Sequence, residues 1–157
     1  MKIGVPKEIK NNEYRVGLIP DCVAELTAKG HQLFIEKHAG AGIGFSDQDY
    51  SNAGAQIVET AESVFVQAEM IIKVKEPQPL ECVMLRPEQI LFTYLHLAPD
   101  LQQTLSLIKS TAVCIAYETV VDDSGHLPLL VPMSEIAGRM AIQAGALALQ
   151  KNSGGAG

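Results

Sequence analysis

Apolar and polar residues along this chain switch repeatedly between a two-residue period and a helical one. Ile3 and Val5 alternate with small or polar neighbours before Pro6, which predicts a short first strand. The charged loop KEIKNNEYR, residues 7–15, leads out of its carboxyl end. Pro20-Asp21 opens a helix with Val23, Ala24 and Leu26 on its apolar side, and Gly30 closes it. Residues 32–36 read as a second strand and 54–59 as a third. Thr60 to Ala68 predicts a helix, with Ala61, Val64, Phe65 and Ala68 at helical spacing. A run rich in β-branched residues then starts at Met70 and ends in Lys73-Val74-Lys75-Glu76-Pro77. Proline holds Glu76 extended and has no amide hydrogen to donate, so the strand stops there. Alternation along it puts Lys73 and Lys75 on one face. Residues 89–95 give another strand, and Pro99 starts a helix with Leu101, Leu105 and Ile108 on one stripe. Residues 111–118 predict a further buried strand, and Asp122 to Gly125 a turn.

Strands that alternate with helices throughout predict an α/β fold. The expected form is an open, mostly parallel sheet with helices on both faces, Rossmann-like or flavodoxin-like. Right-handed crossovers bring the carboxyl ends of its strands to one edge, where such folds bind ligands. The last element is different in kind. Ser134 follows Pro132-Met133 and suits the N-cap of a helix over 135–150. Ala137, Gly138, Ala141, Ala144, Gly145 and Ala148 would let that helix pack closely on another backbone. It then runs into the glycine-rich residues 153–157. This pattern predicts a substrate domain over 1–133, a connecting helix over 134–150, and a lead into a further domain over 151–157.

Composition narrows the functional classes. At 47% hydrophobic and 19% charged residues the chain is too apolar to be disordered. A net charge of −6 argues against a nucleic-acid or anionic-membrane surface. Cys22, Cys82 and Cys114 lack metal-ligand spacing and stand in apolar contexts, which predicts buried, reduced thiols in a cytoplasmic protein. No segment has the length and apolarity of a signal peptide core or a membrane span.

Gly40-Ala41-Gly42-Ile43-Gly44-Phe45 follows a strand as a dinucleotide loop would, but Phe45 stands where the third glycine belongs. It predicts a structural turn. The candidate chemistry lies elsewhere, dispersed over three strand ends. Arg15 lies in the loop after the first strand, Lys75 ends the central one, and His96 ends the next. Arginine can hold a planar carboxylate through a two-pronged fork. Lysine can polarise a carbonyl or hold a carboxylate, and histidine exchanges protons near neutrality. Such a trio suits a carboxylate or oxo-acid site, although each member also has a plain reading as a solvated loop or strand-end residue. No metal site is expected.

The segments MKIGVPKEIKNNEYRVGLIP, IIKVKEP, YLHLA, YETV and PLLVPMSEIAGRMA resemble the amino-terminal half of bacterial alanine dehydrogenases, in the expected order over the whole chain. The resemblance implies reversible, NAD-dependent oxidative deamination of L-alanine to pyruvate and ammonia. Carried over motif by motif, it implies that Arg15 and Lys75 bind the substrate carboxylate and carbonyl, with His96 as the acid-base residue. It further implies that Met133 stands beside the substrate and that Ser134 touches the cofactor. NAD would be bound mainly by a carboxyl-terminal domain, so these residues alone are expected to be inactive. The family also implies a homo-oligomer, a hexamer when intact. Two other readings stay open on sequence: a domain like that of the transhydrogenase α subunit, and a stand-alone oxo-acid-binding module.

Overall fold

The computed structural model describes all 157 residues. They form two compact units, Met1–Ala116 and Tyr117–Gly157.

The first unit is an α/β layer structure. Its chain order is β1 (Lys2–Val5), α1 (Pro20–Ala28), β2 (Gln32–Glu36), α2 (Asp47–Asn52), β3 (Gln56–Val58) and α3 (Ala61–Gln67), followed by β4 (Met70–Ile72), α4 (Pro79–Cys82), β5 (Ile90–Thr93), α5 (Leu101–Ser110) and β6 (Val113–Ala116). All six strands are parallel, in the order β3-β2-β1-β4-β5-β6. The order reverses direction between β1 and β4, which is the topological switch point of a doubly wound sheet.

Both faces of the central strands are covered. Ile3 and Val5 on one face of β1 are 3% and 0% exposed. On the other face Gly4 meets α3 so closely that a Cβ there would lie 2.6 Å from Val64 Cγ1 and 2.7 Å from Ala68 Cβ. Val64 and Phe65 of α3, Ile71 of β4, Leu91 of β5 and Leu107 of α5 belong to one apolar cluster. Burial of such side chains contributes about 1.5–3 kcal/mol each.

Local chemistry sets the helix ends. Ser46 caps α2 reciprocally with Asp49, a capping box that the sequence reading did not use. Thr60 caps α3 and Asp100 caps α5. Gly40 to Gly44 forms the structural turn expected of it, around a short 3-10 segment at Ala41–Ile43.

Four expectations are corrected. Regular strand β4 ends at Ile72, and Lys73 and Lys75 do not share an environment: Lys73 is fully buried and Lys75 only partly so. The stripe of Leu101, Leu105 and Ile108 is exposed; Gln103 and Leu107, each two positions on and so on the opposite face of the helix, are buried. Strand β6 is an edge strand with Val113 and Ile115 49% and 40% exposed, so it is not buried as its apolar content suggested. Cys22 is exposed on α1, whereas Cys82 is buried and Cys114 partly buried.

The second unit contains a 3-10 turn at Tyr117–Thr119, a turn in which Asp122 accepts from the amides of Ser124 and His126, and the 19-residue helix α6 (Val131–Leu149). Here too the expectation is corrected. The helix begins at Val131, three residues before Ser134, and Leu130 precedes it without a side-chain cap. Pro132 in the first turn explains this, since its fixed φ suits that position and its absent N–H would be unpaired there anyway. No helix of the chain is long and apolar enough to cross a membrane.

Candidate functional site

Three adjacent strands, β1, β4 and β5, deliver the candidate residues to one sheet edge. Arg15 lies in the loop that leaves β1, Lys75 follows the end of β4, and His96 follows the end of β5. The loop after β1 lies tightly against the end of β4. A Cβ on Gly17 would be 2.6 Å from the Ile72 carbonyl oxygen, so only glycine lets the loop pass there. Arg15, two residues earlier, is thereby brought to the β1–β4 switch point.

Arg15 is held by Glu13. Nε donates to Glu13 Oε1 at 2.8 Å and Nη2 to Oε2 at 2.6 Å, while the Arg15 backbone amide adds a bond of 2.9 Å to Oε1. This is the two-pronged arginine–carboxylate geometry. The Arg15 hydrogen bonds pull the Glu13 carboxyl down to about 2, and Lys75 pulls in the same direction through space. Glu13 thus senses both candidate substrate cations. The Glu13 side chain is 7% exposed and that of Arg15 is 44% exposed, so the guanidinium stands outermost.

Beneath this pair lies a buried ion triad. Lys73 Nζ donates to Glu8 Oε2 at 3.1 Å and approaches Glu81 Oε1 to 2.7 Å, with all three side chains 0–2% exposed. Glu81 Oε1 makes no aligned hydrogen bond, so its approach to Lys73 is an ion-pair contact; its other oxygen accepts from the Gln78 amide at 2.7 Å. Burial pushes the Glu8 carboxyl up, against the downward pull of Lys73 and of the Val74 amide. Removing one partner from such a group leaves an uncompensated buried charge, which is far costlier than losing a surface pair. Glu8 Oε1 also accepts from the Val74 amide at 2.7 Å and lies 3.4 Å from that of Lys75. The triad therefore ties the loop after β1, the end of β4 and helix α4 together.

His96 occupies a left-handed backbone conformation, φ 49°, which for a residue with a Cβ costs roughly 1–2 kcal/mol. The neighbouring carbonyl of Leu95 accepts from the buried Gln103 Nε2 at 2.7 Å, so α5 fixes the turn that presents His96. His96 itself is exposed.

A cavity of about 270 Å³ is lined by Glu8, Glu13, Arg15 and His38 among others, and includes Lys7 and Gly42. Two of the larger cavities, about 440 and 490 Å³, are shared by α4 and α5 through Cys82 and Ser106, and neither is lined by Arg15, Lys75 or His96. Of the three candidates only Arg15 lines the smaller cavity, where it stands with Lys7, Glu8 and Glu13; Lys75 and His96 do not line it.

The glycines of 40–44 do not form a nucleotide cradle. A Cβ on Gly40 would strike the Tyr50 ring at 2.6 Å and one on Gly42 the Tyr14 carbonyl oxygen at 2.5 Å, so both serve packing within the protein itself. The remaining two candidates, Met133 and Ser134, stand in the first turn of α6 in the second unit, partly buried and exposed respectively. No group of three or more histidine, cysteine or carboxylate residues is arranged to hold a metal ion.

The sequence singles out the three candidates but not the residues that hold them. Glu8 and Glu13 sit in a uniformly charged loop, Gln103 looks like an ordinary helix residue, and Thr93, whose hydroxyl donates to the Lys75 carbonyl at 2.8 Å, looks like an ordinary strand residue. Only Lys73 carried a signal, a lysine within an apolar run.

Comparison with known proteins adds an independent finding. Residues 4–137 match the family model for the alanine dehydrogenase/PNT amino-terminal domain. Over all 157 residues the chain is 54% identical to the alanine dehydrogenase of Halomonas elongata, 55% to that of Methanococcus maripaludis and 50% to that of Mycobacterium tuberculosis. It spans 42% of the length of each of these relatives. A solved L-alanine dehydrogenase superposes on the whole chain with a TM-score of 0.90 at 52% identity, the match covering 43% of that protein. A transhydrogenase from Sinorhizobium meliloti superposes on 75% of the chain with a TM-score of 0.71 at 25% identity, covering 35% of its own length.

Proposed function

Since the chain belongs to the alanine dehydrogenase/PNT amino-terminal domain family, we propose that it supplies the substrate-binding half of an NAD-dependent L-alanine dehydrogenase. The observation that carries this reading is the position of Arg15 and Lys75, on neighbouring loops at the β1–β4 switch point with Glu13 electrostatically coupled to both. The 50–55% identity to alanine dehydrogenases, against 25% to a transhydrogenase, favours this reading over a nucleotide-to-nucleotide hydride carrier.

In the proposed reaction Arg15 holds the substrate carboxylate through its guanidinium. Oxidation at Cα needs the amine lone pair to be free, because that pair forms the carbon–nitrogen double bond as hydrogen leaves the carbon with its electrons. Water must then add and ammonia depart, which requires a group that takes and returns protons. His96 suits this role, since an imidazole side chain both accepts and donates protons. Developing negative charge on the carbinolamine oxygen is stabilised by a nearby cation, and Lys75 provides one. In the reverse direction the same lysine polarises the pyruvate carbonyl. NAD, the hydride acceptor, is bound mainly by residues outside these 157, with Ser134 as the candidate contact on this chain and Met133 as a further candidate for substrate contact. The intact enzyme is a cytoplasmic homo-oligomer in this proposal, with residues 1–133 as substrate domain and 134–150 as connecting helix.

Calorimetric titration of pyruvate tests the assignment. The parent chain is expected to bind, and Lys75→Ala and Arg15→Ala to lose most of the affinity. Equal binding by all three would reject the assigned roles.

A further inference from the structure

Lys75 lies beyond the last regular residue of β4, so the ladder of that strand does not by itself set its direction. Its backbone is instead secured on both sides. The Lys75 carbonyl accepts a 2.8 Å hydrogen bond from Thr93 Oγ1, and its amide lies 3.4 Å from Glu8 Oε1, which binds the preceding Val74 amide at 2.7 Å. The Val74 carbonyl accepts from the Tyr94 amide at 3.3 Å. A peptide unit is planar, so holding the carbonyl after Cα and the amide before it limits both soft dihedrals of Lys75. The Cα–Cβ direction is then fixed, and with it the point at which the ammonium enters the site.

Thr93 is 0% exposed in a strand whose preceding residues, Ile90, Leu91 and Phe92, are apolar. Valine would fill nearly the same space and would suit a strand as well. A hydroxyl at a fully buried position costs free energy unless it is hydrogen-bonded. Its bond here goes to the carbonyl of a candidate substrate ligand on the neighbouring chain segment. We propose that Thr93 is a positioning residue for Lys75, acting through the hydroxyl–carbonyl bond, with Glu8 holding the same segment from the opposite side. This inference rests on the reading of Lys75 as a substrate ligand.

The test is pyruvate titration, with a thermal melt beside each sample, of the 157-residue chain and four variants: Lys75→Ala, Thr93→Val, Thr93→Ser and Val23→Ala. Loss of the hydroxyl in Thr93→Val should weaken pyruvate binding about tenfold, since small displacements of a positioned group are costly. Thr93→Ser keeps the hydroxyl and should bind within about twofold of the parent, a rescue expected when one hydrogen bond carries the effect. Val23→Ala opens a cavity at a fully buried position on α1 and should melt lower while binding as the parent does. Parent-like binding by Thr93→Val, with Lys75→Ala inactive in binding, would overturn the inference and leave the substrate reading standing. Equal weakening in Val23→Ala and Thr93→Val at equal loss of melting temperature would also overturn it, as a general stability effect. Parent-like binding by Lys75→Ala, or no binding by the parent, would overturn the substrate reading and the inference with it.

Discussion

Glu13 ties its own protonation to the orientation of Arg15. Its carboxyl is held at about 2, below the ordinary glutamate value, so folding favours its charged form. The stability this adds is fully present above the ordinary value and is lost as pH falls through the folded one. With allowance for solvent screening of the half-exposed Arg15 partner, the contribution is roughly 1–2 kcal/mol. Glu13→Gln is therefore expected to be less stable than the parent at pH 6, with the gap closing as urea denaturation is repeated down to pH 2. A gap that does not change with pH would contradict the assignment. The Lys73 triad makes a stronger demand. Lys73→Met would leave Glu8 and Glu81 buried without their counter-ion, at a cost of about 3–5 kcal/mol, which denaturant unfolding would register directly. Arg15, Lys75 and His96 stand out as candidates in the sequence because Lys75 and His96 follow shortly after a strand pattern stops and Arg15 lies in the charged loop that leaves β1. Glu8, Glu13 and Thr93 do not stand out: Glu8 and Thr93 act through partners distant in the chain, Glu8 meeting Val74 across 66 positions, and Glu13 lies two residues from Arg15 but looks like its charged loop neighbours.

Elements were read well where pattern and local chemistry agree. Strand β2 was placed residue for residue, and helix α1 begins at the proline expected to open it. Readings failed where a short segment can satisfy two periods or where tertiary position decides exposure. The leucine stripe of α5 is apolar and regular yet exposed, while a polar Gln103 is turned inward to bind a carbonyl. Strand β6 has a core-like composition but ends the sheet, and no property of its own residues reveals that it is last in order. The start of α6 went to Pro132 over the better capping side chain of Ser134. The contact of β1 with α3 offers a direct check at this scale. Gly4→Ala would force α3 away from the sheet, and overpacking of this kind costs about 1–3 kcal/mol. Thermal unfolding of that variant should show the loss, and an unchanged melting temperature would mean that the helix shifts freely.

For the whole molecule, the alternation of strands and helices was enough to predict a parallel α/β sheet, and the order β3-β2-β1-β4-β5-β6 realises it with the switch point between β1 and β4. Strand order itself was not readable, because it depends on which crossovers pair over tens of residues. The fold brings the candidate cations to one edge, while Gly40 and Gly42 of the glycine-rich turn after β2 are occupied with internal packing. A polypeptide of these 157 residues is accordingly expected to form no NADH from L-alanine and NAD; steady absorbance growth at 340 nm, on the order of that of an ordinary dehydrogenase turning over at about 10 per second, would contradict this. The central claim concerns the substrate edge itself, and amide-resolved NMR of the labelled chain during pyruvate titration tests it most directly. The account predicts saturable shifts concentrated at residues 13–17, 73–76 and 93–97. Shifts concentrated instead around the cavities of α4 and α5, with those three loops unmoved, would contradict it.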